Sequence, residues 1–175
     1  MNIKRLLVLS VVALSLLPLA GRAFADTNDD VARARAATEG FVTRVGAGEH
    51  AGYGLFRDAA GLACIAQSGL GGMGVHYVNG ALVGDTVLDP AAPEALVYEP
   101  DSFGRLRLAA LEYIVFKDAW DATHTGRPTL FGVPFDFTPA PNRYGIPAFY
   151  ALHAWIWKDN PAGMFMPWNP RVTCG

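Results

Sequence analysis

The stretch at residues 71–79, GGMGVHYVN, is the sequence feature that most limits how this chain can fold. A cluster of glycines runs directly into an apolar segment typical of a β-strand, and His76 lies inside that segment. Glycine permits tight turns and close backbone approach, whereas a strand alternates its side chains between two faces. A P-loop is excluded because neither a Lys-Ser/Thr pair nor a helical pattern follows the glycines. The stretch therefore predicts the entry to a strand of a sheet.

Two later β-type runs each carry one metal-capable side chain among hydrophobic neighbours. They cover residues 105–116, with Glu112, and residues 149–157, with His153. In the first run, regular alternation predicts one apolar face made of Leu106, Leu108, Ala110, Glu112, Ile114 and Phe116, with Arg105, Arg107 and Tyr113 opposite. A carboxylate on such a face is costly unless it is paired, protonated or bound to a metal.

The remaining pattern predicts a single α+β domain over residues 26–175. A helix is predicted over residues 26–45, where apolar side chains recur at helical spacing. A short strand at residues 94–99 precedes a turn at residues 101–104, so we expect it to form a hairpin with the run at 105–116. Runs of strands beside one helical segment favour a mainly antiparallel sheet. A small barrel or sandwich carrying a helix is the alternative.

Residues 1–25 are predicted to be a signal peptide. Lys4 and Arg5 form a basic start, residues 6–20 are almost wholly apolar, and Ala23-Phe24-Ala25 supplies the small residues of a cleavage site. The apolar run is short for a bilayer span, which needs about 20 residues. We therefore expect a periplasmic or secreted protein that begins at Asp26 and keeps no stable membrane anchor.

The charge and the cysteines narrow the class further. Without the three basic residues of the signal peptide, 11 basic and 16 acidic residues remain, a net charge of −5. A mildly acidic chain without basic clusters is a poor candidate for binding nucleic acid. The two cysteines, Cys64 and Cys174, indicate one disulfide in an exported chain; free thiols or a thiolate metal pair are the alternatives.

His76, Glu112 and His153 together suggest a metal site. Two imidazoles and one carboxylate form the ligand set of non-haem iron centres and of many zinc and manganese sites, with positions left open for water or substrate. The alternative is a polar core in which Glu112 pairs with Arg143, Arg127 or Arg107 and the imidazoles are hydrogen-bonded. Neither a G-x-S-x-G nor an H-E-x-x-H motif occurs, so no reaction is predicted.

Copper is a further candidate metal because thioethers with imidazoles suit Cu(I). Met73 is three residues from His76, however, so a regular strand would point the two side chains to opposite faces. The rival functional hypothesis is a non-catalytic module that binds a small molecule. Its candidate pocket residues are the strand aromatics Tyr77, Tyr113 and Trp155, although aromatics on strands mostly fill cores.

Four segments, GGMGVHYVNGALV, PEALVYEP, GRLRLAALEYIVF and LHAWIWKDNPAGMFMPWNPRVTC, carry a resemblance. With them the chain resembles a family of uncharacterised exported bacterial proteins over most of residues 62–175. The resemblance implies export and a shared domain. It implies no reaction and no ligand set for the three candidate residues.

Overall fold

The computed structural model describes residues 20–174, with the side chains of residues 27–174. The basic start and most of the apolar run of the predicted signal peptide lie outside this range. Helix α1 spans Ala20–Thr38 and is followed by a 3₁₀ turn at Glu39–Phe41 and by α2 at Val45–His50. The helix predicted over residues 26–45 is therefore present but ends earlier. Within residues 20–174, no helix is long and apolar enough to cross a membrane.

Nine strands and two more short helices follow in the described part of the chain. The helices are α3 (Gly80–Val83) and α4 (Lys117–Asp121). The strands are β1 (Gly54–Leu55), β2 (Cys64–Gln67), β3 (Gly71–Val78), β4 (Ala95–Pro100), β5 (Leu106–Phe116), β6 (Thr129–Leu130), β7 (Val133–Pro134), β8 (Asp136–Thr138) and β9 (Phe149–Ala154). Asn79 is the N-cap of α3, because its side chain accepts a hydrogen bond from Ala81 N.

Seven of the nine described strands form one open, antiparallel sheet. Its order is β1-β3-β4-β5-β9-β8, and β2 pairs with β3 beside β1. Strands β6 and β7 make a separate two-stranded hairpin. The α+β class, the mainly antiparallel sheet and the β4–β5 hairpin are confirmed. The sheet does not close into a barrel.

Two bulges change which face each side chain occupies. In β3, Ile65 pairs with Gly74 and Ala66 with Gly72, so Met73 is an extra residue. In β5, Val97 pairs with Ala110 and Tyr98 with Leu108, so Ala109 is extra. Each extra residue reverses the alternation on one side of it. Regular alternation in either strand therefore fails at the bulge.

The bulge in β5 corrects the predicted face of that strand. Leu106 and Leu108 belong to the core cluster that contains Tyr113, whereas Ala110 and Ile114 belong to clusters on the opposite face. Only the part of the strand beyond Ala109 keeps the predicted alternation, and Glu112 lies in that part.

Two layers of apolar side chains cover the sheet. On one face, side chains of β3, β4, β5 and β9 pack with Ala34 of α1 and with Phe131 and Phe135. On the other face, one cluster includes Val83 of α3, and a second includes Trp155 and Val172. The C-terminal segment lies against the start of β3, where Gly72 pairs with Asn169.

The disulfide predicted from the two cysteines is confirmed. Cys64 of β2 is bonded to Cys174, and the bridge closes a sequence separation of 110 residues. Cys64 pairs with Val75, the residue before His76. The bridge therefore ties the C-terminal segment to the edge of the sheet that carries His76.

Candidate metal centre

Three neighbouring positions of the sheet bring the candidate ligands together. Glu112 of β5 and His153 of β9 are direct partners across the antiparallel pair. His76 lies on β3, two strands from Glu112, with β4 between them. The β4 residue opposite Glu112 is Ala95, whose small side chain leaves room for the Glu112 carboxyl group to reach over β4. The three side chains therefore lie close together on one face of the sheet.

The distances between the polar atoms are short. His76 Nε2 lies 3.3 Å from Glu112 Oε2, and His153 Nδ1 lies 3.7 Å from Glu112 Oε1. One ligand atom from each of the three residues lies within 4.8 Å of the other two. The imidazole rings meet edge to face, with centroids 5.9 Å apart and planes at 87°. Two atoms bound to one ion at about 2.0–2.2 Å lie at most about 4.4 Å apart, so the two carboxyl–imidazole pairs already fit a shared ion.

All three side chains are buried, and two of their nitrogens lack partners. His76 is 5% exposed, Glu112 7% and His153 3%. Among the described residues, His76 Nδ1 and His153 Nε2 have no hydrogen-bond partner. A buried polar atom without a partner costs about 1–3 kcal/mol. The cluster is therefore not a fully satisfied hydrogen-bond network.

Burial controls the protonation of all three groups. It lowers the pKa of His76 to about 4, although the backbone of Gly74 partly opposes the change. Burial, together with the charge of a protonated His76, lowers the pKa of His153 well below its ordinary value. Burial and the nearby Glu94 raise the pKa of Glu112 to about 8. Near neutral pH both imidazoles are therefore in the uncharged form that binds metals.

The arginine partners considered for Glu112 are engaged elsewhere or do not reach it. Arg143 donates to Asp58 Oδ2 at 2.9 Å and to the carbonyl of Ala66. Arg107 lies 3.4 Å from Asp101 Oδ2. Within residues 20–174, the basic nitrogens within 4 Å of the Glu112 carboxyl group are those of the two imidazoles. An arginine ion pair therefore does not explain this buried carboxyl group.

The aromatic residues considered for a ligand pocket lie in the packed core. Tyr77 and Tyr113 belong to the cluster on the face opposite the metal ligands, and Tyr113 donates its hydroxyl to the carbonyl of Pro90. Trp155 packs beside Val172 and donates its ring N–H to the carbonyl of Met166. None of the three lines the cavities beside the cluster. The strand alternation explains this, because Tyr77 and Tyr113 each follow a residue of the ligand set.

Sequence reasoning missed Tyr144 and Glu94, and it placed Met73 away from His76. Met73 and Tyr144 line both cavities beside Glu112, and the Tyr144 hydroxyl lies 3.5 Å from Met73 Sδ. Met73 and His76 do not lie on opposite faces as predicted, because Met73 is the bulge residue and both side chains line one cavity. Gly72 and Gly74 around it were a usable signal, since glycines inside strands mark bulges.

Comparisons with known proteins add no family to this description. No protein-family model, no curated protein and no solved structure matches the chain. Functional conclusions therefore depend on the residues of the site. These residues form a buried group of two histidines and one glutamate that could hold a metal ion.

Proposed function

We propose that this protein is an exported domain that binds one divalent transition-metal ion through His76, Glu112 and His153. The observation that carries the proposal is the convergence of three buried ligand groups from three strands within 4.8 Å. Strands hold side chains rigidly, which favours a defined coordination geometry. Three protein ligands also leave coordination positions open, as catalytic rather than purely structural sites do.

A hydrogen-bonded polar core is the competing explanation, and it is less well supported. In such a core each ring nitrogen would have a partner, but the two nitrogens without one among the described residues are not those nearest Glu112, so they do not separate the two explanations. In the part of the chain that the structure describes, the buried carboxyl group has no basic side chain within 4 Å other than the two imidazoles. A cation would reverse the effect of burial by favouring the ionised carboxylate.

The ligand types favour zinc, iron, manganese or copper over calcium and magnesium. Calcium and magnesium prefer sites made of oxygen ligands, whereas imidazole nitrogen suits the transition metals. Met73 adds a thioether to the wall of the same cavity, which keeps copper among the candidates. The carboxylate oxygen, in turn, favours the harder ions of this group.

Export is part of the proposal because the sequence and the disulfide agree on it. The basic start and apolar run of residues 1–25 are typical of a signal peptide. A structural disulfide persists in oxidising compartments such as the periplasm or the cell exterior. Mass spectrometry of the protein recovered from culture medium or periplasm tests this part, and a chain that begins at Asp26 is the expected result.

Metal analysis of protein made without a histidine tag tests the metal site. The protein is stripped with chelator, exposed to Zn²⁺ or Co²⁺, and desalted before its metal is measured by mass spectrometry. We expect one ion per chain in the wild type and loss of that ion in His76→Ala and His153→Ala, with unchanged circular dichroism. Absence of bound metal in the wild type, also after refolding with each ion, would refute the proposal.

A further inference from the structure

An apolar cavity of about 160 Å³ lies directly beside His76 and Glu112. Most of its wall is hydrophobic, and the side chains that matter here come from β2, α3, β5, β9 and the segment before β9. They are Ile65, Val83, Ile114, Phe116, Ile146 and Phe149. Two of the three candidate metal ligands, His76 and Glu112, border the same cavity, so a bound molecule would be within reach of the metal centre.

The volume limits the occupant to a small molecule. A protein cavity of about 150 Å³ lined by Leu, Ile and Phe stays free of water and binds benzene. A cavity of the present size therefore fits about one six-membered ring with a small substituent. Larger cofactors are excluded, because sites for drug-sized molecules occupy about 300–1,000 Å³.

The position of the polar groups limits how such a molecule would be oriented. The Tyr144 hydroxyl lies 3.5 Å from Met73 Sδ and borders the cavity near the ligand cluster. No lysine or arginine lines this cavity within the described residues. A small molecule with a charged ring would thus lose its hydration in this cavity without gaining a counter-charge. The wall favours an uncharged ring whose one polar substituent points to His76 and Glu112.

A second cavity lies on the other side of Glu112 and has a different lining. Its volume is about 260 Å³, and its wall includes Gln67, Asp136, Arg143 and His153. Glu112, Met73, Tyr144 and Phe149 border both cavities. The candidate metal centre therefore borders both an apolar space and a more polar one. This arrangement leaves the polar side for ions and water and the apolar side for an organic molecule.

From these observations, and on the basis of the metal site proposed above, we propose that the apolar cavity binds a small, uncharged, single-ring molecule and directs its one polar group to the metal centre. A phenol is the simplest member of this class. The ring fills the space between α3 and the sheet, and the polar substituent occupies a coordination position that the three protein ligands leave open. This assigns a ligand class to the site without assigning a reaction.

Binding of two fluorinated probes, followed by ¹⁹F nuclear magnetic resonance, tests this proposal. Fluorobenzene probes the apolar cavity alone, and 4-fluorophenol adds the polar group. Each is titrated into metal-stripped protein and into protein loaded with Zn²⁺. We expect fluorobenzene to bind both forms equally. The dissociation constant of 4-fluorophenol should fall about ten-fold or more on metal loading, the gain typical of one contact to a charged group.

A matched pair of substitutions locates the binding. Val83→Phe places a ring into the cavity, whereas Val87→Phe makes the same change four residues away at a side chain that is 62% exposed. Probe binding should be lost in the first variant and retained in the second. If Val83→Phe does not fold, Ile146→Phe at the partly buried edge of the cavity replaces it.

The outcomes separate this proposal from the proposed metal site. Failure of fluorobenzene to bind wild-type protein in either metal state would overturn the cavity proposal, whatever the metal content. Equal affinity for 4-fluorophenol with and without bound metal would overturn the orientation toward the metal centre. If the protein takes up no metal, the metal site fails, and fluorobenzene binding to the stripped protein still decides whether the cavity accepts a ring.

Discussion

Glu112 and His153 face each other as direct partners on β5 and β9, with Glu112 Oε1 3.7 Å from His153 Nδ1. Directly opposed residues of an antiparallel pair have Cβ atoms about 4.5–5.5 Å apart, so this contact is fixed by strand register. The contact of Glu112 with His76 crosses a whole strand, where β4 places the small Ala95 opposite Glu112. Register therefore secures the Glu112–His153 half of the site directly, whereas the other half spans β4.

Replacing the central carboxyl group should strongly weaken metal binding without unfolding the protein. Glu112→Gln keeps the shape and removes the anionic ligand, so we expect metal affinity to fall on the order of 100-fold or more, beyond the 10–100-fold typical of outer-shell changes. Competition with a chromogenic chelator measures the affinity. Glu94→Gln is the control, because Glu94 is also buried and lies outside the ligand set, so that loss of its nearby charge should change the affinity far less. Equal losses in both variants would contradict the assignment.

Metal affinity should rise with pH up to about 8 and then level off. The pKa of Glu112 is raised to about 8 by burial, so below that pH the ion must displace one proton from the carboxyl group. The pKa of His76 is lowered to about 4, and the imidazoles need not lose protons above that value. The logarithm of the affinity should therefore increase by about one per pH unit between pH 5 and 8. Titrations at several pH values measure the slope, and a slope near two would implicate a protonated imidazole.

Glu94 should make the metal-free protein less stable as the pH rises. It is fully buried, Glu94 Oε2 accepts a hydrogen bond from Ile114 N at 3.0 Å, and Oε1 has no partner among the described residues. Burial raises the pKa of Glu94 from 4.5 to about 8. Between these values the folded state keeps a proton that the unfolded chain has lost, so stability falls with increasing pH.

The substitution Glu94→Gln tests this effect. The variant should lose less stability than the wild type between pH 5 and 8, by up to about 1.4 kcal/mol per pH unit, and the difference should be constant above pH 8. Urea unfolding at several pH values in the presence of chelator provides the free energies of unfolding. Parallel curves for the two proteins would show that Glu94 has an ordinary pKa.

Removing the disulfide should destabilise the protein strongly. For a closed loop of about 100 residues the chain-entropy model gives on the order of 4–5 kcal/mol, and the Cys64–Cys174 separation is 110 residues. The double variant Cys64→Ser/Cys174→Ser should therefore unfold at a much lower urea concentration than the oxidised wild type. Wild-type protein kept reduced should behave like the variant. Equal midpoints for the oxidised wild type and the double variant would refute the expected contribution.

Gly74 should not accept a side chain. Its φ is +110°, and an added Cβ would lie 2.5 Å from the carbonyl oxygen of Tyr98. Gly74→Ala should therefore cost at least about 2 kcal/mol of stability, since both the backbone conformation and the contact are unfavourable. Gly46→Ala in α2 is the control, because a Cβ there meets no atom within 4 Å. The control should be neutral or stabilising by up to about 1 kcal/mol in thermal and urea unfolding.

The parts of the fold that follow from local pattern were predictable from the sequence. The β4–β5 hairpin follows from a turn between two apolar runs, and the disulfide follows from an even cysteine count in a chain with a predicted signal peptide. The convergence of His76, Glu112 and His153 was a hypothesis from residue types alone. Their proximity depends on strand order, which no local pattern specifies.

The wrong predictions about strand faces and pocket residues have identifiable physical causes. A bulge shifts side chains to the other face through one extra residue, and neither Met73 nor Ala109 is distinguished by its own type from a regular strand residue. Tyr77 and Tyr113 were considered for a pocket because aromatics suit both pockets and cores, and the packed face decided between the two. Glu94 gave no signal, because a carboxyl group at the start of a strand is usually solvated.

The position of Cys174 has a consequence for the order of events during synthesis. Cys174 follows all nine strands of residues 20–174, so Cys64 has no partner until the whole sheet has been translated. His153 precedes Cys174 by 21 residues, and the three ligand groups can therefore meet while the bridge is still open. The bridge can close only after Cys174 has been added. A chain that ends between Trp155 and Cys174 would keep every ligand residue but would lack the bridge that ties the C-terminal segment to β2.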